Sequence, residues 1–582
     1  MQKRIAAFKW RGAFIFACFF VLSAGLAGRA FQLQVLEHEF FTDQADARHV
    51  RTVKISAHRG QITDRNGELI AVSTPVDSVW VNPKTILQAE VNYPALAKAL
   101  SRDEAWVSRR ISQNSHKEFV YLRRHMRPDL AEQIKAMNIP GLYLEREYQR
   151  YYPAGEVTSH LLGFTNIDDQ GQEGLELAYD HRLQGEPGKK QVLRDRLGRS
   201  IDDLDLIAEP RPGETLVTSI DLRLQYLAYR ELKTAVQKFS ASSGSIVVLD
   251  VHSGEVLAMA NQPAYNPNNR GDSPVSHYRN RAVTDLFEPG SSIKPLIAAA
   301  AIETNSYSQY SKVNTDPGFF KIGSRTIKDK HNLGEIDLTT VIARSSNVGI
   351  ARVALQLEPK KMWNILSGFG LGQLTYSSFP GESAGLLNHY SNWRENSQAS
   401  MAYGYGLSVT PLQMAQAYAV IGNNGVRYPI SFLKRESSDL SYLGERIISS
   451  DTARQSIAMM EQVVNPGGTA PQARIEGYRV AGKTGTAWKF INGAYSQERY
   501  RGSFVGLAPA TDPQVAVVVM IDDPRGEKYY GGDVAAPVFS NTLAGALRLL
   551  NVHPDGFPEY TDPHALQVTN RLSELLHNEE SQ

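Results

Sequence analysis

The first thirty residues limit what this chain can become before any domain is considered. Lys3, Arg4, Lys9 and Arg11 precede a run from Gly12 to Gly28 that carries no charged residue, and no acid occurs before Glu37. As a helix the run is about 25 Å long, at the short end of what crosses a bilayer. Arg11 and Arg29 are placed to reach the two surfaces, and Trp10 suits an interface. A helix that is apolar on all sides does not have the one-sided pattern of a helix packed on a soluble core. The run therefore reads as a transmembrane anchor over 12–28. Residues 1–11 form a cytoplasmic tail, because positive flanks stay on that side, and the rest of the chain lies beyond the membrane. The alternative is a cleaved signal peptide, since Gly25-Leu26-Ala27 has a small-x-small form, although the run is longer than a usual signal core.

At 582 residues the chain exceeds the roughly 250–300 residues at which a single core stops growing, so more than one domain is expected. The 62 basic and 61 acidic residues cancel, which removes any general attraction to nucleic acid. Cys18 is the only cysteine, so neither an internal disulfide nor a cysteine-based zinc site can form. No metal or cofactor is expected.

Residues 30–212 read as a mixed module without a catalytic set, suited to a structural or partner-binding role. Asn66-Gly67 between two alternating runs signals a hairpin, Asp129 to Met137 has helical spacing, and 148–155, 163–174 and 183–188 are turn-rich. The segment 207–213, Ile-Ala-Glu-Pro-Arg-Pro-Gly, marks a boundary. In 213–552 a helix is predicted from Leu222 to Val236. A hairpin follows, with strands Ile246–Val251 and Glu255–Met259 around His252-Ser253-Gly254. Helical patterns cover 295–303, 340–357 and 411–421, the last with Thr410-Pro411 as cap and first turn. Two β-rich runs, Gly502–Leu507 and Val515–Ile521, come near the end. Strands at both ends with helices between predict an α+β fold in which distant segments share one sheet. The polar tail 553–582, with a short amphipathic stretch near 572–576, is expected to be mobile.

Three short patterns in this second region carry chemistry. Ser291-Ser292-Ile293-Lys294 follows Pro289-Gly290; at a helix start, positions three apart share a face, which brings a hydroxyl near an amine. A serine needs a base to become a nucleophile, and a lysine serves once burial or nearby cations lower its pKa. Ser345-Ser346-Asn347 sets a hydroxyl and an amide two apart, and by itself it is as well explained by a capping turn. Lys483-Thr484-Gly485-Thr486 follows a β-type run, 478–481. A strand edge there would offer backbone groups for pairing with a peptide, Gly485 would permit close approach, and Lys483 with the threonines would bind a carboxylate. Each pattern alone is weak.

In order, S-x-x-K, S-x-N and K-T-G form a close variant of the signature of penicillin-binding proteins and class A β-lactamases. The strings FEPGSSIKP, RSSNVG, YGYGLSVTPLQ, AGKTGTA, RGQITDRNGE and GFTNIDDQGQEGLE resemble the class B penicillin-binding proteins, in particular the division-specific peptidoglycan D,D-transpeptidases of the FtsI family. The resemblance runs from the anchor to about residue 550. It implies an elongated pedestal (dimerisation-type) domain over 30–212. Over 213–552 it implies a transpeptidase domain with a central antiparallel sheet and helices on both sides. It also implies an inner-membrane, single-pass protein with its catalytic domain in the periplasm, cross-linking stem peptides at the septum. Carried onto this chain, Ser291 is the nucleophile, Lys294 the base, Ser345 the proton relay and Asn347 a holder of the substrate amide. Lys483 and Thr484 lie beside the substrate carboxylate, and Thr486 with Ser291 supplies the oxyanion donors. β-Lactams would acylate Ser291 and persist, since no deacylating glutamate can be assigned. Implied partners are the septal glycosyltransferase FtsW and other divisome proteins. The elongation-specific class B transpeptidase is the alternative, and KYYGGDVAAPVF at 528–539 together with 163–176 favours the septal branch.

Two other patterns compete. Gly477 to Thr484 matches G-x-x-x-x-G-K-T, but a phosphate loop needs a strand before it and a helix after the lysine, and neither is predicted. Gly381-Glu382-Ser383-Ala384-Gly385 matches G-x-S-x-G, but it lies in a loop-like stretch where a nucleophile elbow needs strand and helix, and nearby His389 cannot be placed. A divisome scaffold without turnover is the non-enzymatic alternative. The intact Ser291, Lys294, Ser345, Asn347 and Lys483 argue against it.

Overall fold

The computed structural model describes residues 2–39, 50–194, 200–271, 273–323, 325–436 and 444–556. Helix α1, Gln2–Phe31, contains the expected anchor and runs past both of its ends. Together with a π-helical turn, Gln32–Leu36, it supplies the apolar stretch Trp10–Leu36, of mean hydropathy 1.9. Among the described residues it is the one helix long and apolar enough to cross a membrane. It outgrows 12–28 because the flanking Lys, Arg, Gln and Ala residues are good helix formers.

The chain divides into two compact units that interleave along the sequence. The first comprises residues 1–59, 74–149 and 184–213; the second, 60–73, 150–183 and 214–582. The second unit thus takes two segments from within the predicted 30–212 region. In the first unit Val50–Ile55, Gly188–Arg194 and Ser200–Ala208 form an antiparallel sheet. A separate core gathers Val79, Leu96, Leu100, Val107, Ile111, Leu122 and Ile134. Its helix Pro128–Lys135 matches the spacing read from Asp129 onward. The Asn66-Gly67 hairpin forms in the second unit: Ile62 pairs with Ala71, Thr63 with Leu69, and Gly67 takes φ +92°.

The centre of the second unit is a five-stranded antiparallel sheet. Its strands are β1 (Ser243–Asp250), β2 (Val256–Gln262), β3 (Ala481–Ile491), β4 (Ala494–Ala508) and β5 (Val515–Asp522), in the order β2-β1-β5-β4-β3. β1, β5 and the second half of β4 are buried nearly throughout and largely apolar, as strands covered on both faces must be, whereas the first half of β4 is polar and mostly exposed. Helices cover each face. A Cβ on Gly506 would meet Phe539 of helix Ala536–Leu549, whereas the side chain of the next residue, Leu507, lies against Gly422, the last residue of helix Pro411–Gly422. Adjacent strand residues point to opposite faces, so the two helices lie on opposite sides. Helix Leu222–Lys238 shares the first side: Leu232 and Val236 approach Gly244. Helix Pro411–Gly422 starts with the expected cap, Thr410 Oγ1 accepting from the Gln413 N–H while the Gln413 side chain accepts from the Thr410 N–H. The distant ends of the region do close one sheet.

Two expectations change. The pattern over 340–357 is not one helix. Leu338–Ala343 and Asn347–Leu355 are separated by Arg344-Ser345-Ser346, where Ser345 adopts φ +59°. The tail expected to be mobile from 553 is held in place over its first residues. Asp555 accepts hydrogen bonds from the backbone N–H groups of Arg479 (2.7 Å) and Thr511 (3.1 Å), and the Gly556 N–H reaches the Gly477 carbonyl at 2.9 Å. Residues 557–582, with the amphipathic stretch, lie outside the described residues.

Candidate active site

Ser291 sits in a 3-10 turn, Gly290–Ile293, that runs directly into helix Lys294–Glu303. That helix, Lys-Pro-Leu-Ile-Ala-Ala-Ala-Ala-Ile-Glu, is buried from Lys294 to Ile302. Its small alanines let it thread the core with the lysine at its start. The turn is fixed from several directions. The Ser292 hydroxyl donates to the Pro289 carbonyl (2.7 Å), and the buried Tyr418 hydroxyl donates to the Ser292 carbonyl (2.7 Å). The Gly290 N–H reaches the Gly404 carbonyl at 3.2 Å. A Cβ at Gly404 would stand 2.0 Å from the Gly290 carbonyl oxygen, so only glycine fits there.

The break that interrupts the predicted long helix brings the second pattern in. Ser346 caps helix Asn347–Leu355, its Oγ accepting from the Gly349 N–H at 2.8 Å. Asp329 holds this cap from outside: it accepts from the Ser346 hydroxyl (2.5 Å), the Asn347 N–H (2.6 Å) and the Val348 N–H (3.1 Å). Ser345 and Asn347 then converge on Lys294. The Lys294 Nζ lies 2.5 Å from the Ser345 carbonyl, 3.1 Å from Ser345 Oγ and 2.7 Å from Asn347 Oδ1.

The third pattern lies inside β3 rather than after a strand, and β3 is the edge of the sheet. Gly485 faces the turn that carries Ser291: a Cβ there would come within 2.8 Å of the Pro289 carbonyl and 2.2 Å of Ser503 Oγ. The Lys483 Nζ is buried beside Thr484 Oγ1 (3.1 Å), Thr484 Oγ1 meets Thr469 Oγ1 (3.1 Å), and the Gly531 N–H donates to Thr486 Oγ1 (3.1 Å). Ser291, Ser345, Asn347, Thr484 and Thr486 line one cleft of about 600 Å³, with Asp329 and Tyr530 on its walls. Lys294 and Lys483 lie beneath it, both fully buried.

Burial, then the nearby Lys483 charge, push the Lys294 amine well below the usual lysine range, against a weaker opposite pull from Asp329. Burial brings Lys483 down to about 7. As an ammonium, Lys294 has a donor for each of its three oxygen neighbours. As a neutral amine it keeps two and gains a lone pair able to take a proton. The arrangement is a serine, Ser291, lining a cleft at the edge strand, one turn before a buried amine that is held by Ser345 and Asn347.

The competing patterns do not assemble. Gly482 and Lys483 lie within a β-strand that continues through Ile491, so no helix follows the lysine. Ser383 lies in a loop, its N–H on the Val283 carbonyl, and is absent from the lining of the cleft. His389 is exposed and joins Ser391. Among the described residues no cluster of His, Cys, Asp or Glu could hold a metal. Sequence reasoning missed Asp329, which has no motif of its own. It also missed Tyr418, whose only signal is a phenol in a buried helix that needs an acceptor.

The penicillin binding protein transpeptidase domain family matches residues 244–544, and the penicillin-binding protein dimerisation domain family matches 54–218. The peptidoglycan D,D-transpeptidase FtsI of Escherichia coli is 42% identical over 94% of this chain and 93% of its own length. The probable peptidoglycan D,D-transpeptidase PbpC of Pseudomonas aeruginosa is 40% identical over 94% and 97%. Among solved structures, penicillin-binding protein 3 of Mycobacterium tuberculosis complexed with aztreonam superposes with a TM-score of 0.66 at 28% identity, covering 86% of this chain and 98% of that one. With these relatives and this cleft, the chain belongs to the class B penicillin-binding proteins, in the FtsI branch of peptidoglycan D,D-transpeptidases.

Proposed function

We propose that the chain cross-links peptidoglycan stem peptides at the division septum through an acyl-enzyme on Ser291. The observation that carries the reading is Lys294, a buried amine held by Ser345 and Asn347 one turn from the Ser291 hydroxyl. Ser291 Oγ attacks the carbonyl of the penultimate D-Ala while Lys294 takes its proton. The backbone N–H groups of Ser291 and Thr486 receive the developing oxyanion, a donor of this kind being worth about 3 kcal/mol. The bond to the terminal D-Ala breaks, and its amine leaves with a proton passed through Ser345. Asn347 holds the substrate amide, and Thr484, Thr486 and the charge of Lys483 hold the terminal carboxylate. An amine of a second stem peptide then attacks the ester, gives up a proton to Lys294 and restores Ser291. A β-lactam enters by the same attack, with its amide as the acyl donor.

We assign the catalytic unit to the periplasm and the N-terminus to the cytoplasm, on the strength of the positive flank before Gly12. The anchor and the first unit are the surfaces we assign to FtsW and other divisome proteins. Protease added outside intact spheroplasts should digest the catalytic unit; protection of that unit would reverse the topology. Fluorescent penicillin should label the full-length protein covalently, one per chain, and Ser291→Ala should abolish the label. Undiminished labelling of that variant would refute the assignment.

A further inference from the structure

Beyond the catalytic cleft, the substrate strand continues into a group of exposed aromatic rings that the acyl-transfer chemistry does not use. Thr484, Thr486 and Trp488 alternate along β3 and lie on one face. Trp488 is 45% exposed, and Phe490, beyond a bulge, is 61% exposed. Their rings continue into Tyr405 and Tyr495. Tyr405 and Tyr495 meet edge to face at 5.4 Å, Phe490 and Tyr495 at 5.1 Å, and Tyr405 lies 6.4 Å from Trp488. The group is tied to the catalytic turn. The Tyr495 hydroxyl donates to Glu288 Oε1 at 2.9 Å, which also accepts the Gly406 N–H at 2.8 Å. Glu288 is three residues before Ser291. Exposed aromatic faces held in place this way mark a binding surface more often than a solvated one.

We propose that Trp488 and Phe490 form a sugar subsite that stacks on the glycan strand from which the acyl-donor stem peptide hangs. This rests on the reading of Ser291 as the acylated residue. Reach and chemistry both favour it. Phe490 is four positions along the strand from Thr486, about 13 Å at ~3.3 Å per residue. The extended stem that joins an acyl group at Ser291 to its glycan covers a similar length, a few residues at ~3.5 Å each. A donor paired along the edge of β3 therefore brings its sugar over these rings. The C–H face of a pyranose is apolar and faintly positive, which suits the negative face of an indole or phenyl ring. The sugar hydroxyls stay in water or meet the polar rim of Glu288 and the two tyrosines.

The test uses the full-length protein in detergent and two acyl donors: one D-Ala-D-Ala stem peptide, bare or carrying its N-acetylglucosaminyl-N-acetylmuramyl disaccharide. The wild type should show a kcat/KM about tenfold higher for the disaccharide-bearing donor. Trp488→Ala and Phe490→Ala should each bring the ratio of the two kcat/KM values toward one, and Phe490→Tyr should preserve it. A wild-type ratio of one overturns the subsite. So does a ratio that persists in both alanine variants, which would make the rings part of the peptide groove or a surface for a protein partner. Failure of penicillin to acylate even the wild type would instead sink the reading of Ser291 itself, so the two failures are distinguishable.

Discussion

Two buried cationic sites in the same unit are built in opposite ways. Arg150 is 1% exposed and Glu176 fully buried; they pair at 2.6 Å, and Arg150 also donates to the Gly60 carbonyl and the Ser73 hydroxyl. Lys294 and Lys483 are just as buried, but among the described residues neither has a carboxylate in an ion pair. Their hydrogen-bond neighbours are neutral oxygens, and for Lys294 burial and the charge of the other lysine outweigh the weaker pull of the Asp329 carboxylate. A guanidinium does not lose its proton in a protein, so a buried arginine needs its carboxylate. A lysine can lose its proton, and burial without a counter-ion makes it do so. The first site keeps a charge and stabilises the fold. The second sheds charge and leaves an amine able to take up a proton.

The largest effect that probes this contrast is Lys294→Arg. The charge stays and the ability to deprotonate is lost, so acylation by penicillin should fall by about 10²–10⁴-fold. Stopped-flow labelling measures it, and a loss below about tenfold would show that Lys294 serves by charge alone. Next is Glu176→Ala, which strands the Arg150 guanidinium in the core and should cost about 3–5 kcal/mol of stability. Thermal unfolding of the full chain reads it, and an unchanged midpoint would mean that Arg150 finds water or another partner. The smallest is a pH effect. Acylation requires neutral Lys294 and charged Lys483. It should therefore rise with pH as Lys294, held low by burial and by Lys483, gives up its proton, and fall again as Lys483 loses its proton around pH 7. A kcat/KM profile for a carboxylate-bearing penicillin should peak on the acid side of neutrality, below the pH of about 7 at which Lys483 loses its proton. A rise that continues to pH 10 would show that the charge on Lys483 is not needed.

Local signals in the sequence carried much of this structure. The hairpins at Asn66-Gly67 and His252-Ser253-Gly254 are encoded by their turn residues, and helix Pro411–Gly422 by Thr410 and Pro411. The three patterns were visible as strings, and the resemblance implied their convergence. The elements that complete the site were not visible. The left-handed Ser345 hides within helical spacing, because one residue at positive φ leaves the hydrophobic period on either side intact. Asp329 is seventeen residues before Ser346 in a polar loop, and only the folded chain brings it to that cap. The interleaving of 60–73 and 150–183 with the later chain is equally a matter of long-range packing, which no local period records.

The measurement closest to the central claim is mass spectrometry of the full-length protein after penicillin treatment, with the modified peptide mapped to a residue. A single adduct is expected on Ser291, absent from Ser291→Ala and retained in Ser383→Ala. An adduct on Ser345, Ser383 or any other residue, with Ser291 unmodified, would contradict it.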